Sequence, residues 1–208
     1  MMLASPFMSL KPRWATRLTW AVLLLASLAG CGGGNPLDNP QQIDNSAVIS
    51  GKKLSLMYYQ RCIQPILDAQ IPSPDGGGGT NQCASSGCHN NSSGTGGALR
   101  VVRAASTVDL SDPVNTHDVV RATEIYRNFY SAQGVTVPGA PHSSRLLTKP
   151  LLIGVLHGGG LIFSNESSLE AKTITYWIKN PVPTTSDEFE LGAAVTKMFN
   201  ADGSCVTE

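Results

Sequence analysis

The sequence lacks the motifs on which the common enzyme classes depend. It contains no glycine-rich phosphate loop, no Ser-His-Asp spacing and no paired carboxylates placed for acid and base catalysis, and it has no internal repeat. These residue types at their characteristic spacings are what a catalytic site requires. The chain is therefore expected to be something other than an enzyme.

Acidic residues are absent from the first thirty positions. There Lys11, Arg13 and Arg17 lead into an apolar run from Leu18 to Leu28. A basic segment followed by a short apolar run is typical of a signal peptide. The run is about half as long as the roughly 20 apolar residues that a membrane-spanning helix needs. Residues 1–30 are therefore predicted to be a cleaved signal peptide.

The end of this segment, Leu28-Ala29-Gly30-Cys31, resembles a bacterial lipobox, in which the cysteine is lipidated and becomes the new N-terminus. The resemblance implies lipidation at Cys31; an ordinary signal peptide with a chance cysteine is the alternative. Two or more acyl chains anchor a protein stably without spanning the bilayer. Gly32 follows the cysteine, which resembles the outer-membrane sorting pattern of enteric-type lipoproteins and implies a periplasm-facing or surface position in the cell envelope.

Positive charge is not in excess once the signal is removed. Twelve basic residues then stand against fifteen acidic ones, a net charge of about −3, and a nucleic-acid partner is not expected. Residues 31–50 are rich in Gly, Asn, Pro and Gln and are predicted to be a flexible tether. The remaining residues 51–208 are expected to form one domain.

Cysteine is scarce, and two of the five stand close to a histidine. The segment Cys83-Ala84-Ser85-Ser86-Gly87-Cys88-His89 places two thiols five positions apart, directly before an imidazole. A c-type haem needs two thiols for its vinyl groups and an imidazole for its iron, usually as Cys-x-x-Cys-His. The small residues in the longer gap allow it to bulge away from the ring. One haem c is predicted, with thioethers to Cys83 and Cys88 and His89 as proximal ligand. A Cys83–Cys88 disulfide and a zinc site are the alternatives.

Other segments share this pattern with a known family. The segments in question are Gln64-Pro65-Ile66-Leu67, the Cys83 to His89 motif, Gly96-Gly97-Ala98-Leu99-Arg100-Val101, Ser143-Ser144-Arg145-Leu146-Leu147 and Thr175-Tyr176-Trp177-Ile178. In this order they resemble the cytochrome c-like domains of exported bacterial proteins. The resemblance implies an all-α fold, with cytochrome c-like helices around one haem and long glycine-rich loops.

Apolar periodicity predicts four helical segments. The first lies within residues 51–70, with Pro65 bending or ending it. The second runs from Thr116 to Gln133, with Val119, Val120, Phe129 and Tyr130 on its apolar side and Gly134 as its stop. A short helix is predicted over 143–149, and a last one over 167–180. The last helix should open with a Ser167–Glu170 capping box and bury Leu169 with Trp177.

The family has a methionine as second axial ligand, and this sequence has none at the corresponding place. Its ligand loop lies about twenty residues before the terminal Trp-Ile pair, and here that loop reads His157-Gly158-Gly159-Gly160. His157 is therefore predicted to be the distal ligand. The alternatives are that His157 binds a carbonyl while the iron is five-coordinate, or that Met198 is the ligand. Met57, His117 and His142 match the pattern less well.

Cys62 and Cys205 remain once the other three cysteines are assigned. In an oxidising compartment they are expected to pair, although a buried free thiol is the alternative. Taken together, the sequence predicts an envelope-anchored c-type cytochrome that transfers single electrons to redox partner proteins. A haem-free, disulfide-stabilised structural or interaction lipoprotein and a haem enzyme with an open distal site are the competing hypotheses.

Overall fold

A computed structural model describes residues 51–208 of the 208-residue chain. The predicted signal peptide, Cys31 and the predicted tether lie outside the described residues. The helices, in chain order, are α1 (Leu56–Tyr58, a π-helical turn Tyr59–Ile63, and Gln64–Asp68), α2 (His117–Arg121), α3 (Glu124–Gln133), α4 (Arg145–Thr148), α5 (Leu169–Lys179) and α6 (Ala193–Thr196). A 3₁₀ turn, Pro141–Ser143, precedes α4. Strands β1 (Ile71–Pro72) and β2 (Thr80–Asn81) pair antiparallel, with Ile71 opposite Asn81.

Three buried aromatic side chains hold the longest helices together. Tyr59 of α1, Phe129 of α3 and Trp177 of α5 have ring centroids 5.5–6.2 Å apart, and each is almost completely buried. Burial of one such side chain stabilises the fold by about 1.5–3 kcal/mol. The Trp177 indole N–H also donates to the Ser55 carbonyl over 3.0 Å. These contacts fix α1, α3 and α5 relative to one another.

The first helix continues through Pro65, which was expected to bend or end it. Proline lacks the N–H that would close a helical turn, and its ring crowds the carbonyl four residues earlier. Here the turn immediately before it, Tyr59–Ile63, is widened to a π-helix, and regular helix resumes to Asp68. Single π-helical turns are the form in which an α-helix accommodates such a defect. The helix therefore reaches the segment that leads into the cysteine motif.

The prediction of one continuous helix from Thr116 to Gln133 is wrong. It is two helices, α2 and α3, separated at Thr123, whose side chain accepts the N–H of Tyr126 and so caps α3. The break changes which side chains face inward, because the two parts no longer share one helical register. Val119 and Tyr130 are consequently exposed rather than buried.

The last predicted helix exists, but its first turn differs from the prediction. Ser168, rather than Ser167, caps α5 by accepting the N–H of Ala171 over 3.3 Å. The predicted capping box is therefore wrong, because Glu170 now stands two residues after the cap instead of three. The same shift leaves Leu169 exposed, while Trp177 is buried as expected.

A disulfide joins Cys62 of α1 to Cys205, with Cα atoms 6.0 Å apart across a sequence separation of 143 residues. Two hydrogen bonds hold the same C-terminal segment: Arg61 donates to the Gly203 carbonyl over 2.9 Å, and the Val206 N–H donates to the Met198 carbonyl over 3.0 Å. The disulfide therefore closes nearly the whole described chain onto α1.

A buried amide positions the chain that follows the cysteine motif. The Asn128 side chain accepts from the Val102 N–H and donates to the Val102 carbonyl, both over 2.7 Å. The neighbouring Val101 N–H donates to the His89 carbonyl over 2.8 Å. Helix α3 therefore fixes the strand-like segment against which the motif histidine lies.

Glu188 is a buried carboxylate at the other side of α2 and α3. Its oxygens accept from the Tyr126 hydroxyl over 2.9 Å, from the Lys53 ammonium over 3.1 Å and from Arg121 over 3.4 Å. Burial opposes ionisation of Glu188, but hydrogen bonds from its own backbone N–H, Lys53 and Tyr126 outweigh it, so the pKa lies below the usual glutamate value. The carboxylate is thus a charged, structural group at neutral pH.

Replacing Glu188 is expected to destabilise the protein only at pH values at which its carboxylate is ionised. Glu188→Gln should lower the free energy of unfolding by about 1–2 kcal/mol at pH 7. This is the contribution expected of hydrogen bonds to a charged group, reduced because the two partner cations are half-exposed and screened by solvent. The pKa of Glu188 is lower in the folded protein than in the unfolded chain. Its contribution to stability is therefore fully present above the ordinary glutamate pKa of about 4.3, and it is lost as the pH falls through the pKa of the folded state.

Urea unfolding at pH 7 and pH 3 measures this difference. Asp118→Asn is the matched control, since Asp118 pairs with the same Arg121 but its side chain is 96% exposed; it should change stability little at either pH. An equal loss for Glu188→Gln at both pH values would contradict the assigned role of the charge.

Candidate functional site: two facing histidines beside two free thiols

Hydrogen bonds from its own backbone fold the cysteine motif into a tight loop. The His89 N–H donates to the Cys83 carbonyl over 2.9 Å, and the N–H groups of Cys88 and Asn90 both donate to the Ser85 carbonyl, over 3.0 and 3.1 Å. These bonds bring the first thiol and the histidine to the same side of the loop. The longer gap between the thiols is thereby taken up by turns.

Of the small residues between the two thiols, one anchors the loop to α1 and two others lie at the surface. Ala84 is buried, and its N–H donates to the Leu67 carbonyl at the end of α1 over 2.9 Å. Ser86 and Gly87 are exposed. The gap therefore bulges toward solvent, as expected for a run of small side chains.

Cys83 and Cys88 are free thiols in this structure, not a disulfide, and both are half-buried. Burial, and then the proximity of Cys88, raise the pKa of the Cys83 thiol to about 11. At neutral pH Cys83 is therefore a protonated thiol rather than a thiolate. A thiolate is the form in which cysteine binds a metal ion, so the environment does not favour Cys83 as a direct metal ligand.

His89 is oriented by a backbone carbonyl. Its Nδ1 lies 3.2 Å from the Leu99 carbonyl oxygen. Burial lowers the pKa of His89, and the nearby cations Lys149 and Arg100 lower it further, against the opposing effect of the Leu99 bond. The neutral ring therefore carries its proton on Nδ1, and the Nε2 lone pair stays available. A metal-binding histidine is held in this way.

Gly96 permits the close packing of the chain on this ring. A Cβ at position 96 would overlap the imidazole of His89 and lie 2.7 Å from the Cys88 carbonyl oxygen. The Gly96 N–H instead donates to that carbonyl over 2.7 Å. Glycine at this position thus allows the segment before Leu99 to run directly along the histidine.

His157 is held in the same manner from a glycine turn. The Gly160 N–H donates to the His157 carbonyl, and the Gly160 carbonyl lies 2.9 Å from Nδ1 of the ring. Gly160 has a φ of +72°, a conformation that side chains other than glycine rarely adopt. His157 therefore does bind a carbonyl, as one of the alternatives stated. It does so through Nδ1, so its Nε2 atom stays available to a metal.

The two imidazoles face one another across a gap. Their ring centroids are 6.2 Å apart and their planes differ by 9°. Two metal–nitrogen bonds of about 2 Å each would fit within this separation. The spacing of the two rings is therefore compatible with both histidines holding one metal.

The same histidines and cysteines line one cavity. Its volume is about 450 Å³, and its walls include Cys83, Cys88, His89 and His157. Cavities of roughly 300–1,000 Å³ are typical of small-molecule and cofactor sites. A second cavity of about 90 Å³ shares Cys83 and both histidines with it, and its remaining walls are mostly apolar: Leu67, Leu99, Val135, Leu146, Phe163 and Ile174. The residues present thus fit a large flat apolar group with one metal and two thiol-reactive positions.

Two cations at this site were missed by sequence reasoning. Lys149 lines both cavities, and Arg145 lines the smaller one. Neither wall includes an aspartate or a glutamate. No signal in the sequence identified these cations, because they belong to the short helix α4 and its end, which was singled out only for its leucines.

The other ligand candidates lie elsewhere. Met198 is buried in the hydrophobic core and Met57 contacts Gln60, and neither lines the cavities. His117 stacks on Phe189 with ring centroids 4.0 Å apart. His142 is exposed and lies 3.5 Å from Glu166.

Two features are absent from the part of the chain that the structure describes. Among residues 51–208, no three or more His, Cys, Asp and Glu side chains are grouped to hold a metal ion. No helix of this segment has the length and apolar character needed to cross a bilayer. Comparisons with protein-family models, with curated proteins and with solved structures returned no match to this chain.

Proposed function

We propose that this protein is a monohaem c-type cytochrome that carries single electrons in the bacterial cell envelope. The observation that supports it best is the pair of nearly parallel imidazoles, 6.2 Å apart, in one cavity with two free thiols. Electron transfer, rather than catalysis, agrees with the absence of a catalytic motif from the sequence. The proposed fold is a cytochrome c-like arrangement of helices around the haem.

Each site residue has one role in this proposal. Cys83 and Cys88 form the thioethers, His89 is the proximal ligand and His157 the distal ligand. The haem supplies a one-electron ferrous/ferric couple. The chain contributes two imidazoles already held in the required tautomer by the Leu99 and Gly160 carbonyls, so little reorganisation accompanies ligation.

Two histidine ligands set the expected redox behaviour. Methionine in place of one histidine raises the haem potential, so a bis-histidine site has a comparatively low potential. If His89 and His157 both held the iron, small molecules such as peroxide would find no open coordination site. This favours an electron carrier over a haem enzyme.

The location follows from the N-terminal segment. We propose that the signal peptide of residues 1–30 directs export, that lipid on Cys31 anchors the chain, and that residues 32–50 act as its tether. The protein then resides in the envelope as a periplasm-facing or surface lipoprotein, with the outer membrane as its expected membrane. Its partners are redox proteins of the envelope rather than nucleic acids.

A stain for covalent haem tests the proposal directly. Full-length protein made in a bacterium that has the c-type attachment machinery should retain one haem per chain on a denaturing gel, because thioethers survive unfolding. Haem staining and the pyridine haemochrome spectrum give the presence and the stoichiometry. Loss of all haem on denaturation would refute covalent attachment, and absence of haem from the native protein as well would favour a haem-free lipoprotein.

The distal ligand is tested by replacing His157. In the holoprotein His157→Ala should convert a low-spin ferric spectrum to a high-spin one and allow added imidazole to bind. His142→Ala is the matched control, because His142 is exposed and outside the cavities, and its spectrum should equal that of wild type. A low-spin spectrum unchanged in His157→Ala would remove His157 from the iron.

A further inference from the structure

A third cavity shares no lining residue with the two cavities beside His89. Its volume is about 440 Å³, within the range of roughly 300–1,000 Å³ that is typical of small-molecule sites. Its walls come from the end of α5, from Pro181 and Val182, and from α6 with the two residues that follow it. It is therefore a separate cavity, which we call the α5–α6 cavity.

The floor of the α5–α6 cavity is apolar. Val182, Val195 and Met198 line it, and only 2–4% of each is exposed. These three side chains also belong to the hydrophobic core, so the cavity reaches down to the core. An apolar group bound against them would leave water, which is favourable.

The mouth of this cavity carries positive charge. Lys179 and Lys197 line it and are exposed, and within residues 51–208 neither forms a salt bridge. No aspartate or glutamate of this segment lines the cavity. An anion would thus meet two ammonium groups that no neighbouring carboxylate neutralises, and charge complementarity would favour it.

Tyr176 adds a hydrogen-bond donor to the wall. Burial raises the pKa of Tyr176, so its hydroxyl is protonated at neutral pH and can donate. Its carbonyl, in the last turn of α5, already accepts from the Asn180 N–H and from the Asn180 side chain, over 3.1 and 2.8 Å. This carbonyl is therefore satisfied, although the end of a helix otherwise repels anions.

We infer that the α5–α6 cavity binds a small amphiphile with one anionic group, of the class of medium-chain monocarboxylates. Its apolar body lies against the floor, and its carboxylate lies at the mouth beside Lys179 and Lys197. A simple inorganic anion leaves the floor in water, and an uncharged apolar molecule leaves the lysines unused. Because the cavity shares no residue with the histidine site, its ligand is independent of the proposed function.

Calorimetric titration with three ligands separates the two parts of the site. Octanoate has a carboxylate and an apolar chain, octan-1-ol has only the chain, and acetate has only the carboxylate. Octanoate should bind the full-length protein at one site per chain, about tenfold more tightly than octan-1-ol, and acetate should show no binding. Equal affinities for octanoate and octan-1-ol, or no binding of octanoate, would overturn the inference. All titrations use one neutral detergent, so that uptake into micelles is the same in each.

Substitutions at the mouth test the assigned charges. Lys179→Gln combined with Lys197→Gln should weaken octanoate binding about tenfold, since each exposed charged pair contributes at most about fivefold, and should leave octan-1-ol binding unchanged. Arginine at both positions should retain octanoate binding. Lys172→Gln is the matched control, because Lys172 also lies on α5 but pairs with Glu208 outside the cavity. An octanoate affinity that the double glutamine variant leaves unchanged would remove the lysines from the site.

Photolabelling locates the bound molecule. A diazirine analogue of octanoate, irradiated with the protein and followed by mass spectrometry, should label peptides that contain residues 176–182 or 193–198. Label confined to peptides that contain His89 or His157 would overturn the inference, because the anion would then lie in the other cavities. A chain that lacks haem but is labelled at 176–182 or 193–198 would refute the proposed function and still support this site.

Discussion

Replacing both Cys83 and Cys88 by serine is expected to abolish covalent haem completely. Serine is close to cysteine in shape but cannot form a thioether, and both thiols line the cavity that holds the two histidines. Either single variant should retain one thioether and a reduced yield of stained protein. The measurement is haem stain per unit of protein on a denaturing gel, with the absorption spectrum of the native protein beside it.

Ser86→Ala is the control for this experiment. Ser86 lies in the same loop but is exposed and outside the cavity, so its haem content should match that of wild type. A stained band that persists in the double cysteine variant would show that haem is attached elsewhere. A band lost in Ser86→Ala as well would point to loop folding, rather than to the thiols.

The second large effect concerns stability. Cys62→Ser combined with Cys205→Ser should lower the free energy of unfolding by about 4–5 kcal/mol, because a cross-link over 143 residues removes much of the conformational freedom of the unfolded chain. Native domains are stable by only about 5–15 kcal/mol, so the variant should unfold at a much lower denaturant concentration.

Guanidinium titration followed by circular dichroism measures this loss. Wild type under reducing conditions should behave like the variant, which separates the missing bond from the effect of the serines themselves. A loss below about 1 kcal/mol would mean that the hydrogen bonds of Gly203 and Val206 hold the C-terminal segment without the disulfide.

Helices α1 to α5 could be located from the sequence, but their registers could not, and α6 (Ala193–Thr196) was not predicted. The apolar period over 116–133 is real, yet it does not reveal that the Thr123 side chain captures the N–H of Tyr126 and starts a new helix. Likewise Ser167 and Ser168 are equally good caps by composition, and the choice depends on how Trp177 meets Tyr59 in the core. Such tertiary contacts override local preference.

The candidate site was more predictable than the fold around it. Cys83, Cys88 and His89 are close together in the sequence, and His157 was singled out by its place about twenty residues before Trp177, followed by three glycines. What the sequence could not provide were partners that bind through backbone atoms: the carbonyls of Leu99 and Gly160 carry no residue-type signature. The cations Lys149 and Arg145 were missed because only the folded chain brings them to the cavity.

The long disulfide also has a consequence for biogenesis. Cys205 follows Cys62 by 143 residues; if the chain is exported from its N-terminus as we propose, Cys62 would reach the oxidising side together with Cys83 and Cys88, long before its own partner. Thiols that meet first pair first unless something keeps them reduced. Under the proposed export, maturation of this chain should therefore depend on an envelope thiol reductant or isomerase as much as on an oxidant, and a strain without that reductant should accumulate Cys62 paired to Cys83 or Cys88.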